Sequence, residues 1–408
     1  MKKFLTMLLT VVLAVSSLGL FTACGDENEY KGIQKIENLA DIKVGFIYLH
    51  DENSTYDKNF MDAAKTVVDE LGVQYVQATN IPEGNACYEK AVQFAEDGCD
   101  IIFADSFGHE EYMLKAANEY PNVQFCHATG TMAHTEKRGN FQNAFASIYE
   151  GRYLAGVAAG LKLIEMYGDD ITADEAKVGY VGAFPYAEVV SGYTSWFLGL
   201  RSIVSNATMQ VKYTQSWYDF EKEKTAAQAL IDGGCTLISQ HADSMGAPEA
   251  CETAKIPNVC YNISTQAACE NTYIIASKIN WAPYFKYIIN CVNKGEEIAD
   301  DWTGTIANGA VQVLEIGQAA AEGTQAKLDE VKANFANGSL KVFDLSKFTV
   351  GGKALADDYK ANVDNDANFA ADTVVIKTTS ADVKYFAESE FRSAPYFELR
   401  IDGITELK

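Results

Sequence analysis

The chain has no stretch rich in Lys and Arg beyond its first residues: 33 basic residues stand against 56 acidic ones over 408 positions, a formal charge of −23. Nucleic acid is held by clustered cations, so this balance argues against it as a partner. The nine cysteines form no Cys-x-x-Cys pair and no Cys/His cluster with zinc spacing, so no metal site is expected. Cys99, Cys126, Cys235 and Cys260 lie at or beside apolar strand-like runs, where a thiol serves as a small core residue. A disulfide from Cys251 to Cys260 or Cys269 stays open, since spacing chooses neither. Also missing are a glycine-rich phosphate loop, a Gly-x-Ser-x-Gly elbow and a His-Glu-x-x-His helix. Cys126 and His127 are neighbours, so on a strand they point to opposite faces and make no nucleophile pair. The expectation is a binding protein with no cofactor and no catalytic residue.

What is present begins at the amino terminus. Lys2 and Lys3 precede an apolar run over residues 4–20, the layout of a signal peptide. Phe21-Thr22-Ala23-Cys24 follows and resembles the lipobox of bacterial lipoproteins, with Phe21 where Leu is usual; cleavage there would leave diacylglycerol on Cys24. A spanning anchor is the alternative, but residues 25–38 lack the basic flank of a stop-transfer segment and read as a flexible tether. Residues 1–24 are therefore assigned to signal and lipobox and 25–39 to the tether. The expected location is the extracytoplasmic face of the cell membrane, lipid-anchored through Cys24. Loss of Lys2 and Lys3 takes the formal charge from −23 to −25.

The remaining chain is too long for one ordinary core and repeats itself. Lys43-Val-Gly-Phe-Ile47 returns as Lys177-Val-Gly-Tyr-Val181. The string from Ala91 through Gly98-Cys99 to Phe103 returns from Ala227 through Gly234-Cys235 to Ser239, and Pro121-Asn-Val-Gln-Phe125 returns as Pro257-Asn-Val-Cys-Tyr261. Three collinear matches at nearly one offset mark a duplicated unit in which strands alternate with helices. Such a unit makes a parallel sheet with right-handed crossovers. The fold class is α/β, with two doubly wound parallel-sheet lobes: 40–148 as lobe 1 and 149–280 as lobe 2. Residues 281–318 are read as a return helix and hinge-crossing segments, and 319–408 as a part that completes and covers the lobes.

Ligands of open parallel sheets sit at the carboxyl ends of the strands. The lining should come from residues 50–57, 104–109 and 127–131 in one lobe, and 183–189, 240–246 and 262–266 in the other. These loops carry Tyr56, Phe107, His127, Phe184, Gln240, Asp243 and Asn262; Trp217 with Asp219, and Trp281, lie close by in sequence. Rings with amide and carboxylate groups between them suit a flat, neutral, hydrogen-bonding ligand.

Several strings also resemble a known family, the basic membrane lipoproteins: the Med or purine nucleoside receptor group of ABC-transporter substrate-binding proteins. They are Ile101-Ile-Phe-Ala-Asp-Ser-Phe-Gly108, Phe125-Cys-His-Ala-Thr-Gly130, Ser147-Ile-Tyr-Glu-Gly-Arg-Tyr-Leu-Ala-Gly156, Gln240-His-Ala-Asp-Ser244 and Trp281-Ala-Pro-Tyr284. The resemblance covers roughly residues 43–317. It implies a type I periplasmic-binding fold with three crossing segments at the hinge, a purine nucleoside or nucleobase between the lobes, an ABC permease as partner, and a monomer. By motif position Tyr56 and Phe107 correspond to stacking residues, Gln240, Asp243 and Asn262 to polar contacts, and Trp217 and Trp281 to pocket or hinge. The family's Asp-Lys-Ser-Phe-Asn string reads Asp57-Lys-Asn-Phe-Met61 here, which leaves base against nucleoside open. A flavin, a sugar, an amino acid or a sensing role are the alternatives, with a nucleoside hydrolase as the enzymatic one; Arg152, the one Arg near a predicted mouth, is assigned to the hinge.

Overall fold

The computed structural model describes residues 29–364 and 366–408. The signal peptide, Cys24 and residues 25–28 of the expected tether lie outside the described residues.

Short apolar runs become buried strands in both halves. β1 (Lys43–Ile47), β2 (Gln74–Ala78), β3 (Ile101–Ala104), β4 (Gln124–Ala128) and β5 (Phe141–Ala146) alternate with α1 (Thr55–Leu71), α2 (Asn85–Glu96), α3 (Glu110–Glu119) and the single turn α4 (Ala133–Glu136). α5 (Ile148–Tyr167) opens the second half. There β6 (Lys177–Gly182), α6 (Ala187–Arg201), β7 (Thr208–Tyr213), α7 (Phe220–Asp232), β8 (Ile238–His241), α8 (Gly246–Ala254), β9 (Asn258–Tyr261) and β10 (Tyr273–Ile279) repeat the pattern. The spatial orders β2-β1-β3-β4-β5 and β7-β6-β8-β9-β10 are two copies of one doubly wound sheet.

The duplicated strings fall on equivalent elements: β1 and β6, α2 into β3 and α7 into β8, and the entries to β4 and β9. Their shared glycine has a packing reason. A Cβ on Gly45 would lie 2.6 Å from the Phe94 ring, and one on Gly179 would lie 3.1 Å from the Leu230 Cβ. Phe94 and Leu230 are counterparts in the repeat, so in both halves the returning helix needs the strand bare at that point.

The chain passes between the sheets three times. It leaves β5 for α5, leaves β10 for α9 (Ala282–Lys294) on lobe 1, and runs from β11 (Asp301–Gly304), parallel to β5, into β12 (Val311–Val313) on β10. β12 pairs antiparallel, a departure from an all-parallel sheet that an edge position tolerates. α5 and α6 meet backbone to backbone: a Cβ on Gly156 would run into the Trp196 carbonyl, and one on Gly199 into that of Tyr153.

α10 (Thr324–Ala336) packs on α5, and the remaining chain lies over the second lobe. It carries the short pairs β13 (Lys360–Ala361) with β14 (Thr373–Val374) and β15 (Ile376–Thr378) with β16 (Lys384–Phe386), then adds β17 (Ile404–Leu407) parallel to β7. The apolar string at residues 396–400, which reads as a strand in the sequence, has no strand pairing. Phe397 instead stacks on Phe343, centroids 4.3 Å apart, so its apolar residues serve the core.

Residues 30–38 are docked on lobe 1, a correction to the flexible tether expected there. Ile36 N donates to the Val292 carbonyl at 3.1 Å, Asn293 Nδ2 donates to the carbonyls of Ile36 and Glu37 at 2.9 Å, and the Tyr30 hydroxyl donates to Glu297. All the cysteines among the described residues are free and buried. No helix among them is long and apolar enough to cross a membrane.

Candidate ligand-binding cleft

Loops leaving the carboxyl ends of β1, β3 and β4 face those of β6, β7 and β8 around one narrow cavity of about 20 Å³. The lobes touch across its mouth. Thr55 N donates to the Asp243 carbonyl at 2.8 Å, the Phe107 ring stacks on Tyr186 with centroids 5.7 Å apart, and His50 lies 5.5 Å from Tyr218.

The lobe 1 wall is built on the first turn of α1. Ser54 caps that helix by accepting from Asp57 N, which places the Asp57 carboxylate where the helix dipole favours negative charge. Asp57 accepts from His50 N at 2.7 Å and from Ser54 Oγ at 2.5 Å, and faces His50 Nδ1 at 3.3 Å. Burial pushes its pKa up, but the hydrogen bonds from His50 and Ser54 outweigh burial and hold it below the usual carboxylate range. Asp105, fully buried at the end of β3, behaves oppositely. Its Oδ1 accepts from Leu49 N at 3.1 Å while Oδ2 has no partner. Burial first, and the charge of Asp57 second, push its pKa well above the usual carboxylate range. The Tyr56 hydroxyl donates to the Asp105 carbonyl at 2.9 Å, which fixes that ring in the wall.

The second wall mixes carboxylates and rings. Glu188, in the first turn of α6, lies 3.2 Å from His241 Nε2. Burial, helped by the charge of Arg152, lowers the His241 pKa to about 4, so the ring is neutral and Nε2 carries the proton donated to Glu188. Asp243 is pushed well above the usual range by burial and by the charges of Glu223, Asp57 and Glu188. Beneath it, Glu223 accepts from Asp219 N at 3.0 Å and from Ser244 N at 3.0 Å, tying the loops after β7 and β8 together; burial lifts its pKa to about 7. Tyr186 stacks on Phe184 at 5.1 Å, and Trp217 meets Phe184 edge-on at 5.1 Å.

Of the side chains singled out from sequence, Tyr56, Phe107, Trp217 and Asp243 line the cavity. Phe184 stands one ring behind, under Tyr186. The others are placed elsewhere. His127 is fully buried with Nε2 at 2.7 Å from the Ser106 carbonyl, so it holds the loop that carries Phe107. Asp219 caps α7 by accepting from Lys222 N. Gln240 is a scaffold group: its side chain accepts from Asn258 Nδ2 at 3.0 Å and its carbonyl accepts from Arg152 at 3.0 Å. Asn262 is buried in the left-handed region at φ 68°, outside the cavity wall. Trp281 stacks on Phe60 at 4.4 Å in the lobe 1 core, where the chain leaves β10 for α9. Met61 packs against that same core, away from the cavity.

His50, Asp57, Ser106, Thr129 and Glu188 also line the cavity without having been singled out, although each lies in a loop the strand rule designates; His241, a polar group of the predicted second-lobe mouth, lines it as well. A signal existed for two of them: Asp57 and Glu188 occupy the first turn of the helix that follows the first strand of each half. Arg152, assigned to the hinge, is buried in α5 with its guanidinium 3.3 Å from the centre of the Tyr261 ring. Outside the cleft, Asp364, Asp366 and Asp372 gather within 4.8 Å, as partly exposed carboxylates often do without a metal.

Comparison with known proteins bears on what this cleft serves. The family described as PnrA-like ABC transporter substrate-binding proteins, Bmp, matches residues 26–344. A purine-binding protein of Brucella abortus is 31% identical over 333 residues, 78% of this chain and 89% of its own length. A putative ABC transporter glucose-binding protein of Haloferax volcanii is 30% identical over 291 residues, 70% of each chain. Among solved structures, a solute-binding protein of an Aeropyrum pernix K1 ABC transporter superposes with a TM-score of 0.63 at 16% identity, over 74% of this chain and 93% of that one. One from Conexibacter woesei gives 0.59 at 21% identity, over 74% and 98%. These show the two-lobed type I periplasmic-binding fold. With the profile match spanning both lobes and the hinge, the chain belongs to the PnrA-like family of ABC transporter substrate-binding proteins, whose members bind a ligand without transforming it.

Proposed function

We propose that the cleft holds a purine, as base or nucleoside, and that the closed, loaded protein presents it to an ABC permease from the extracytoplasmic face, tethered through a lipid on Cys24. The observation that carries the ligand is the combination of ring faces from Tyr56, Phe107 and Trp217 with the carboxyl groups of Asp57, Glu188 and Asp243 around one cavity. A purine offers flat faces to the rings and N–H edges to the acceptors. Among the described residues no Lys or Arg lines this cavity, so a phosphate or carboxylate on the ligand would be buried without a counter-charge. That favours base and nucleoside over nucleotide and amino acid, and the purine-binding relative supports the same class. Because its walls come from both lobes, a ligand there has differential affinity for the closed form and shifts the population toward it.

A second reading has its own support: the relative named as glucose-binding, and a Trp face beside carboxylates, which also suits a hexose. Thermal unfolding of the full chain with adenine, guanine, adenosine, guanosine, AMP and glucose separates the two. A purine at a hundredfold excess over its dissociation constant should stabilise the native state by about 2.7 kcal/mol, with AMP inert. A shift with glucose and none with any purine would transfer the assignment to the sugar. Phe107→Ala, which removes one exposed ring, should weaken purine binding by about two- to tenfold, the range of one stacking contact.

A further inference from the structure

The family match ends at residue 344, and the chain beyond it is held firmly on lobe 2. β17 extends the sheet beside β7, Phe386 N donates to the Phe343 carbonyl at 3.0 Å, and the Tyr149 hydroxyl donates to the Glu388 carbonyl at 3.2 Å. Phe386, Tyr396 and Phe397 share one apolar core with Tyr180 of β6 and Trp196 of α6. When the lobes part, this segment therefore travels with lobe 2.

One turn of it reaches across to lobe 1. Ser393 N donates to Asp301 Oδ2 at 2.6 Å, and the same oxygen lies 2.7 Å from His134 Nε2. Asp301 stands in β11 opposite Asn143 of β5, and His134 stands in α4, so both belong to lobe 1. The donor is held in place: Ser393 is buried, and Arg392 donates to the carbonyls of Ala394, Val363 and Pro395 at 2.8 to 3.2 Å, which locks the turn. Asp301 lies at the far end of β11 from Gly304, where the chain leaves for β12, roughly 10 Å along the strand. A rotation about the crossings thus moves Asp301 relative to lobe 2 and pulls it from Ser393. The bond that is lost has a carboxylate as acceptor and is of the stronger, charge-assisted kind.

The cavity between the lobes gives this contact a consequence. At about 20 Å³ it has room for about one water, so a ligand enters or leaves only when the lobes part. We propose that the segment after residue 344 is a strap that latches the lobes through Ser393 and Asp301. The latch keeps a measurable share of the molecules closed before a ligand arrives and slows its release afterwards. Asp301 stands outside the cavity wall, so the latch acts on the closed form alone and by the same factor for every ligand. It rests on the cleft being the ligand site and not on the ligand being a purine.

The test compares the full chain with Asp301→Ala, its folding checked by melting midpoint, and with Asp301→Asn, which keeps an acceptor without the charge. Spin labels on Glu111→Cys and Thr225→Cys, exposed positions on α3 of lobe 1 and α7 of lobe 2, report the separation of the lobes, since the native cysteines from Cys87 to Cys291 are buried. Without ligand the ratio of closed to open protein should fall by about tenfold or more in Asp301→Ala and by less in Asp301→Asn. Stopped-flow binding of adenine, adenosine and glucose should show koff raised by a similar factor for each ligand that binds, with kon near that of the wild type. A wild type with no closed distance, label distances unchanged in a folded variant, or an unchanged koff overturns the latch. If none of the three ligands binds, the labels alone decide the latch, and the ligand reading fails separately.

Discussion

Replacing Asp105 with Asn removes one titrating group from beneath the cleft while keeping its acceptor, since the amide oxygen can take the Leu49 N–H that Oδ1 now accepts at 3.1 Å. In the unfolded chain an Asp ionises near pH 4. In the folded protein burial, and then the charge of Asp57, push Asp105 well above that value. Between the two values the folded state holds one proton more than the unfolded state, so stability falls as pH rises, by about 1.4 kcal/mol per pH unit. The penalty starts near pH 4 and stops growing once the folded pKa is passed. Asn carries no such penalty. The difference in unfolding free energy, variant minus wild type, should therefore climb by about 1.4 kcal/mol per pH unit from pH 4 upward. Asp57 works the other way, since its lowered pKa stabilises above the unfolded value and is lost in acid, but it is present in both proteins. Urea unfolding of the ligand-free pair at half-unit steps from about pH 4 to about pH 8 measures the slope. A difference that stays flat would mean that Asp105 is ionised in the native state, and the electrostatics assigned to the lobe 1 wall would be wrong.

Thr55→Pro should loosen closure alone. Thr55 is the first residue of α1, where Pro fits, and its N–H is the one bonded across the cleft to Asp243. Losing that bond costs about 0.5–1.5 kcal/mol, read as roughly two- to tenfold weaker ligand binding with an unchanged unliganded melting midpoint. Gly156→Ala should destabilise the second lobe by about 1–3 kcal/mol or more in a denaturant melt, because the added methyl meets the Trp196 carbonyl and α5 must move off α6. Reducing agent should leave the melting midpoint unchanged, and thiol titration should find the cysteines from Cys87 to Cys291 unreactive until the chain is unfolded.

The cleft shows where reading a sequence stops. Each lining residue except Leu49 and Trp217 falls in a loop marked out by the strand repeats, because the rule that ligands gather at the carboxyl ends of parallel strands needs only topology. Which side chain of a loop turns inward is another matter. His127 and Thr129 lie two apart in one segment, yet His127 turns to the Ser106 carbonyl and Thr129 borders the cavity. Asp219 and Trp217 share a loop, and the local demand of the α7 amino terminus takes the carboxylate while the ring stays at the cavity. Trp281, an aromatic in a family-like string, is claimed by Phe60 and the lobe 1 core.

The sequence by itself determined the two-lobed α/β architecture, the duplicated sheet and the family. The architecture rests on apolar runs and helix-ending glycines, signals that act within a few residues of chain, and on their return in a second half, while the family rests on the strings that resemble it. Only the tertiary structure decided that Asp57 and Glu188 share one cavity and that burial beside Asp57 raises the pKa of Asp105. Each of those depends on groups brought together from distant parts of the chain, and burial and charge proximity exist only after the lobes have met.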